Sequence, residues 1–215
     1  MNNAPKKEEM EKARVQRHGQ ELQNRLNLST VAICGLGGLG SNIAIALTRV
    51  GIGRLILIDF DKVDVINLHR QQYKAAQVGK YKTDALAENL REIDPYICLD
   101  TFNVKVTEDN AESLLAGADI VCEAFDNPEN KAMLTNWVLE NMPEKALVAA
   151  SGMAGIETAN TIKTKRIAKN FYLCGDGISD VADDIGLVSS RVMVCAAHQA
   201  HAVIRILGKL EDMEK

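Results

Sequence analysis

Residues 31–59 read VAICGLGGLGSNIAIALTRVGIGRLILID, and this stretch decides the fold. An apolar strand runs into Gly35-x-Gly37-x-x-Gly40, a helix follows, and a second apolar strand ends on Asp59. Gly35 lets the chain turn sharply off the strand, Gly37 lets the backbone approach a phosphate, and Gly40 lets the helix pack closely on the sheet. Unpaired amides at the start of that helix present the positive end of its dipole to an anion. Asp59 lies 19 residues past Gly40, about the spacing at which an acid meets a ribose hydroxyl in such units. Together these features specify a nucleotide pocket. They do not specify which nucleotide.

Outward from this unit, apolar strands alternate with helical patterns. Strands are expected at 30–34, 54–58, 97–105, 118–123 and 145–150, and helices at 39–50, 83–93, 109–115 and 128–141. That alternation requires crossover connections, so the fold class is α/β, a doubly wound, Rossmann-like and mostly parallel sheet. A late strand is expected at 160–165, and residues 191–207 read as a mostly apolar, largely buried helix. Residues 6–26 are charged, lack proline and carry Val15, Leu22 and Leu26 at helical spacing, which predicts one N-terminal helix. The division is thus an N-terminal helical arm over 1–28 and a single domain over 29–215. Two polar stretches, 61–81 and 174–190, resist the alternation, and loops of that length in a compact domain are commonly functional.

The chain has 215 residues, enough for one domain burying roughly 70% of its unfolded surface. Its formal net charge of −4 and pI near 5.6 provide no global basic field for nucleic acid or an anionic membrane. No apolar run is long enough to span a bilayer, and residues 1–28 lack a signal-peptide core; a cytoplasmic location is expected. The five cysteines form no C-x-x-C pair, which argues against a disulfide framework and a cysteine zinc site. Cys34 and Cys122 fall in strands and Cys195 in a helix, as small buried apolar residues. Cys174, placed in a loop, is the thiol whose setting leaves exposure and reactivity open.

Open parallel sheets bind ligands beyond the carboxyl ends of their strands. The residues there are the glycine loop, Asp59 and then Asn67 to Gln72, Asp126 and Asn127, and Ser151 to Gly155; Lys82 opens the next helix. Arg70 offers a bidentate fork and Lys82 a point charge, both suited to phosphate oxygens, and Asp126 is a hard oxygen ligand suited to Mg2+. The plainer alternative makes Arg70 and Lys82 solvated loop cations and Asp126 a helix cap before Pro128. His198 and His201 stand three apart on one helical face, a metal-ligand spacing. Their alanine-rich surroundings favour a packed or hydrogen-bonded core role.

GLGGLG, LILIDFDKVDVINLHRQQ, GKYKTDAL, EAFDN and ASGMAG resemble, in order, the motifs of the ubiquitin-activating-enzyme superfamily, specifically its small bacterial ThiF, MoeB and HesA members. RHGQEL, FYLCGDG and CAAHQA look most like compact ThiF proteins of thiamine biosynthesis. The resemblance implies an ATP-dependent adenylyltransferase acting on the C-terminal glycine of a ThiS-like, ubiquitin-fold sulfur carrier. By matching position, Gly35, Gly37, Gly38, Gly40, Asp59, Asp61, Asn67, Arg70 and Lys82 would bind the nucleotide, with Asp59 on the ribose. Arg70, Lys82 and Asp126 would be the catalytic set, and Asp126 the Mg2+ ligand. A homodimer is implied as well.

Departures from the family pattern matter. The paired C-x-x-C zinc motif of many relatives is absent, so no structural zinc is expected, and ISDVADDIGLVSS carries no cysteine for a covalent sulfur-transfer step. The family's N-terminal Arg-Tyr-x-Arg-Gln is missing in that form; Arg14 or Arg17 would have to replace its arginine, and helix surface charge is the simpler account. Two other functions use the same glycine loop. One is an NAD(P)-dependent oxidoreductase, which leaves Arg70, Lys82 and Asp126 unexplained; the other is a non-catalytic nucleotide-binding scaffold.

Overall fold

A computed structural model describes residues 4–182 and 185–210. The ends of the proposed arm and domain, at 1–3 and 211–215, and Asp183 and Asp184 in the Asp-rich stretch lie outside the described residues. Among the described residues seven strands form one sheet: β1 (Thr30–Cys34), β2 (Arg54–Ile58), β3 (Cys98–Phe102), β4 (Ile120–Glu123), β5 (Ala146–Ala150), β6 (Lys163–Ala168) and β7 (Phe171–Gly175). Their order is β3-β2-β1-β4-β5-β7-β6, parallel throughout except for the antiparallel edge pair β6–β7. Register is set by in-line apolar pairs such as Ile33 with Leu57 and Val121 with Leu147.

Buried on both faces, the central strands carry continuous apolar runs. Val31, Ile33, Leu55, Leu57, Ile120 and Val148 point into one core, and Ala32, Cys34, Ile56, Ile58, Val121 and Leu147 into the other. The first core is covered by α3 (Gly38–Val50), α4 (Lys82–Ile93) and α7 (Ser189–Leu207), the second by α5 (Glu108–Leu115) and α6 (Pro128–Asn141). Helix α7 buries Val192, Cys195, Ala196, Gln199, Ala200 and Val203, one stripe at helical spacing. The buried Gln199 amide donates to the carbonyls of Glu123 (3.0 Å) and Val148 (3.2 Å) and so ties α7 across two strands.

Several expectations are corrected. The N-terminal arm is two helices, α1 (Lys7–His18) and α2 (Gln20–Leu28), because Gly19 adopts φ 88° and breaks the run. The late strand lies at 163–168 and is one half of a hairpin whose second strand, β7, the sequence reading missed. Cys174 is in that strand, not in a loop. It is fully buried, and burial pushes its thiol up to about 11, which suppresses thiolate chemistry. His198 is half-buried with Nδ1 3.0 Å from Thr164 Oγ1, as a hydrogen-bonded packing residue, but His201 is exposed. Among the described residues no helix is long and apolar enough to cross a membrane.

The arm packs on its own domain at the amino-terminal end of the sheet. Arg14 donates to Asp94 at 2.6 Å, and the Asp94 side chain is 6% exposed. Arg25 donates to the Gly208 carbonyl at 2.5 Å, and Leu26 is fully buried. Arg17 is exposed. Neither arginine is among the pocket residues at the opposite, carboxyl end of the strands.

Candidate functional site

Strand order reverses between β1 and β4, so the loops leaving these strands splay apart and open a crevice. It is a cavity of about 300 Å³. Its floor is Gly35, Gly37 and Gly38; one wall carries Asp59, Asp61, Arg70 and Lys82, and the other Ala124, Phe125 and Asp126. A further side is built from Ser151 to Ala154, Ser179 to Val181, Leu187 and Val192.

The glycine loop is shaped by backbone crowding. A Cβ on Gly40 would stand 1.8 Å from the Gly35 carbonyl oxygen, so only glycine lets α3 start this close to β1. Gly35 sits at φ 92° with a would-be Cβ 2.7 Å from the Ala124 oxygen. At Gly37 a would-be Cβ meets, among the described residues beyond its chain neighbours, Gln71 Nε2 at 3.6 Å, which leaves room over the first turn of α3. Gly38 lies under the stem of Arg70 and against Val192.

Asp59 is 7% exposed and organises the loop. Its Oδ2 accepts from the Leu36 amide at 2.6 Å and its Oδ1 from the Asp61 amide at 2.8 Å. Burial raises its pKa, and the nearby Lys82 charge opposes that rise. Lys82, 6% exposed, donates to Asp61 Oδ2 at 2.7 Å and lies 3.9 Å from Asp59 Oδ2. Lys82 is therefore not a solvated loop cation. Arg70 is half-buried; among the described residues its Nη1 contacts the Ile66 carbonyl (3.3 Å) and the His69 ring, and its buried Nε has no partner. Such an orphan donor is costly unless a ligand or an ordered water satisfies it.

Asp126 is exposed on the pocket wall, and the cap of α6 is Asn127, whose Oδ1 accepts from the Asn130 amide at 2.8 Å. The cap role considered for Asp126 thus belongs to its neighbour. Among the described residues no group of three His, Cys, Asp or Glu side chains surrounds a metal position. Mg2+ bound through one carboxylate, substrate phosphates and water does not need such a group, and the free Asp126 carboxylate fits that mode.

The fold thus brings Gly35, Gly37, Gly38, Asp59, Asp61, Arg70, Lys82 and Asp126 to one cavity. Gly40 acts behind it. Asn67 does not line it: its side chain accepts from the Asp64 amide (3.1 Å) and closes the short 3-10 turn Val65–Asn67. The sequence reading missed Lys131, whose Nζ lies 2.8 Å from the buried Glu123 Oε2 and donates to the Phe125 carbonyl at 3.0 Å. The signal was a lysine eight residues past an acid at a strand end, legible only once the β4–α6 turn is folded.

Fold and site define a doubly wound α/β protein with a glycine-loop pocket, Arg70 and Lys82 on one wall, at the topological switch point of its sheet. The chain belongs to the ThiF family, whose model matches residues 10–215. It is 36% identical over 132 residues to the adenylyltransferase and sulfurtransferase uba4 of Aspergillus terreus, an alignment covering 61% of this chain and 27% of that protein. With the ubiquitin-like modifier-activating enzyme 5 of Bombyx mori it shares 39% identity over 127 residues, covering 54% and 32%. The chain spans about a third or less of these relatives. Among solved structures, the E. coli tRNA N6-threonylcarbamoyladenosine dehydratase TcdA, in complex with ATP, superimposes with a TM-score of 0.85 at 22% identity, covering 96% of this chain and 97% of that one.

Proposed function

We propose that this protein is an ATP-dependent adenylyltransferase that activates the C-terminal glycine of a ThiS-like, ubiquitin-fold sulfur carrier, in the thiamine pathway. The observation that carries the reading is the convergence of the open first turn of α3, Arg70 with its unsatisfied Nε, Lys82 and Asp126 on one cavity. In this reading Asp59 and the glycine loop seat the nucleoside, and the α3 amides face the phosphates. Lys82 passes from Asp61 to a phosphate oxygen when the triphosphate enters, and Arg70 gains acceptors for its fork. A carrier carboxylate oxygen attacks the α-phosphorus in line; the bond to the bridging oxygen breaks and pyrophosphate leaves with that electron pair. Positioning and charge neutralisation suffice, without a covalent enzyme intermediate. Mg2+ at Asp126 would neutralise charge on the departing pyrophosphate.

Carrier-dependent exchange of labelled pyrophosphate into ATP tests this. Exchange is expected in the intact chain and is strongly reduced by Arg70→Ala and by Asp126→Ala; exchange that survives both removes the assigned roles. Absence of NADH or NADPH binding in a fluorescence titration disposes of the oxidoreductase alternative.

A second reading is favoured by the near-complete overlap with TcdA in both directions and by the exposed Lys163, Lys165, Arg166 and Lys169 around edge strand β6. Here the activated carboxylate belongs to a modified tRNA nucleoside, and the basic strand meets its phosphates. Charged residues also protect edge strands from pairing, so the carrier reading stands first. ATP turnover stimulated by tRNA and by no carrier would reverse that order. A homodimer remains part of the proposal, with sedimentation of the intact and 1–26-deleted chains as its test.

A further inference from the structure

The cavity has two halves with different supports. The nucleotide half rests on β1, β2 and β4; the other half consists of the loops after β5 and β7, which carry Ala154 and Ser179 to the cavity wall. Neither Arg191 nor Asp176 lines the cavity, yet both are almost fully buried behind that second half, with side chains 4% and 5% exposed.

Their geometry joins three separate segments. Arg191 Nη2 donates to Asp176 Oδ2 at 2.6 Å and to Thr161 Oγ1 at 3.1 Å, while Nη1 donates to the Glu157 and Thr158 carbonyls at 2.6 and 2.9 Å. Asp176 Oδ1 accepts from the Ile178 and Ser179 amides at 2.9 Å each and from Ser179 Oγ at 3.1 Å. Ser179 Oγ in turn accepts from the Ala154 amide at 3.1 Å. The two loops also lie backbone on backbone. Gly152 at φ 78° leaves room for the Asp176 carboxylate, where a Cβ would stand 2.0 Å from Oδ1, and the Asp176 amide donates to the Gly152 carbonyl at 3.0 Å. One residue beyond Arg191, Val192 abuts Gly38, so the start of α7 fixes the second half relative to the phosphate loop.

We infer that Arg191 and Asp176 are positioning residues for the acceptor carboxylate: their buried pair holds the loops of the second half where the attacking group must enter, without contacting the nucleotide. The inference rests on the adenylation reading. An ion pair buried this deeply is weak evidence for stability alone, because desolvation offsets its attraction. Its fork instead fixes direction, gathering acceptors from 157, 158, 161 and 176 at one guanidinium. A misplacement of about 1 Å by a residue remote from the chemistry can cost about 100-fold in rate.

The test is kinetic and uses the intact chain with a ThiS-like carrier ending in Gly-Gly as probe. Asp176→Asn keeps acceptors for the Ile178 and Ser179 amides but removes the charge facing Arg191. Arg191→Lys keeps the charge but loses the fork. Both are expected to keep ATP affinity, read by titration calorimetry, within about twofold, while kcat/KM for the carrier falls about 10-fold or more. A loss shared equally between ATP and carrier overturns the positioning role and leaves adenylation standing, as does wild-type carrier kinetics in both variants. ATP binding by the intact chain with no exchange for any carrier sinks the adenylation reading, and this inference with it. Should Asp176→Asn fail to fold, Arg191→Lys decides on the same two readouts.

Discussion

Lys82 Nζ sits 2.7 Å from Asp61 Oδ2 and 3.9 Å from Asp59 Oδ2, a buried ammonium between an exposed acid and a buried one. Its partners differ in what they can release. Asp59 is fixed by two backbone amides, whereas the Asp61 side chain is 50% exposed and can give up the ammonium to a phosphate. Lys82→Met is expected to weaken ATP binding by about 1.5–3 kcal/mol, the range for a hydrogen bond to a charged group, as measured by calorimetry. It also removes the charge that restrains the pKa of Asp59, so that carboxyl should titrate higher still by carbon-detected NMR.

Gly40 gives a steric prediction. With its would-be Cβ 1.8 Å from the Gly35 oxygen, Gly40→Ala must move the start of α3 off the sheet. A loss of about 1–3 kcal/mol is expected in a urea melt, together with weaker nucleotide binding. Gly117→Ala is the control: nothing lies within 4 Å of its would-be Cβ, and its change should stay within about 0.5 kcal/mol.

Thiol reactivity should follow burial. Cys98 is exposed, and Cys34, Cys122, Cys174 and Cys195 are buried. Burial raises the thiol of Cys174 to about 11 and that of Cys195 to about 12. Native protein treated with iodoacetamide is expected to carry one label, at Cys98, by peptide mass mapping, with the other four labelled only in denaturant. Rapid native labelling of Cys174 would refute its place in β7.

Acid stability should report on Asp176. Burial works against its ionisation, but hydrogen bonds from Ser179, Ile178 and Arg191 prevail and lower its pKa from 3.8 to about 2. A carboxyl depressed on folding stabilises the native state above its unfolded pKa, and that contribution disappears as pH falls through the folded one. The stability gap between wild type and Asp176→Asn is therefore expected to hold above pH 4 and to close by about pH 2, read by denaturant melts. His198 adds a second window: burial and its neighbour His201 lower its pKa below 6.5, so its contribution is full above that value and shrinks as the solution is acidified.

The arm gives a packing prediction. Arg14 and Asp94 are paired at 2.6 Å with side chains 17% and 6% exposed, and the stranded acid left by Arg14→Ala is poorly hydrated. A loss of about 1–3 kcal/mol is expected in urea denaturation. Asp94→Asn combined with Arg14→Ala should recover part of it.

Local chemistry was legible along the central strands and the glycine loop. Runs such as VAIC and LILI suit central strands buried on both faces, and Gly35, Gly37 and Asp59 announce a turn, an approach and an acid at fixed spacing. The end of the chain was less legible. KTKRIAKNFYLCG mixes charge into the first strand of an edge hairpin, and the apolar run FYLC of β7 is only four residues long, too short to be told from a buried loop or helix segment by pattern alone. Gly19 looked like one more residue of a polar helix, though its positive φ splits the arm in two.

From its own residues the sequence determined the doubly wound α/β class, the crevice beyond the carboxyl ends of the strands and the set of cations and acids near it, because backbone sterics and hydrophobic period act over a few residues. Tertiary structure alone decided that Lys82 is buried between two acids, that Arg70 keeps an orphan donor, and that Arg191 clamps two loops of the chain onto α7. These are contacts between residues as much as 34 positions apart, as from Arg191 to Glu157. No local pattern encodes them, since they exist only after the sheet has brought its loops to one end.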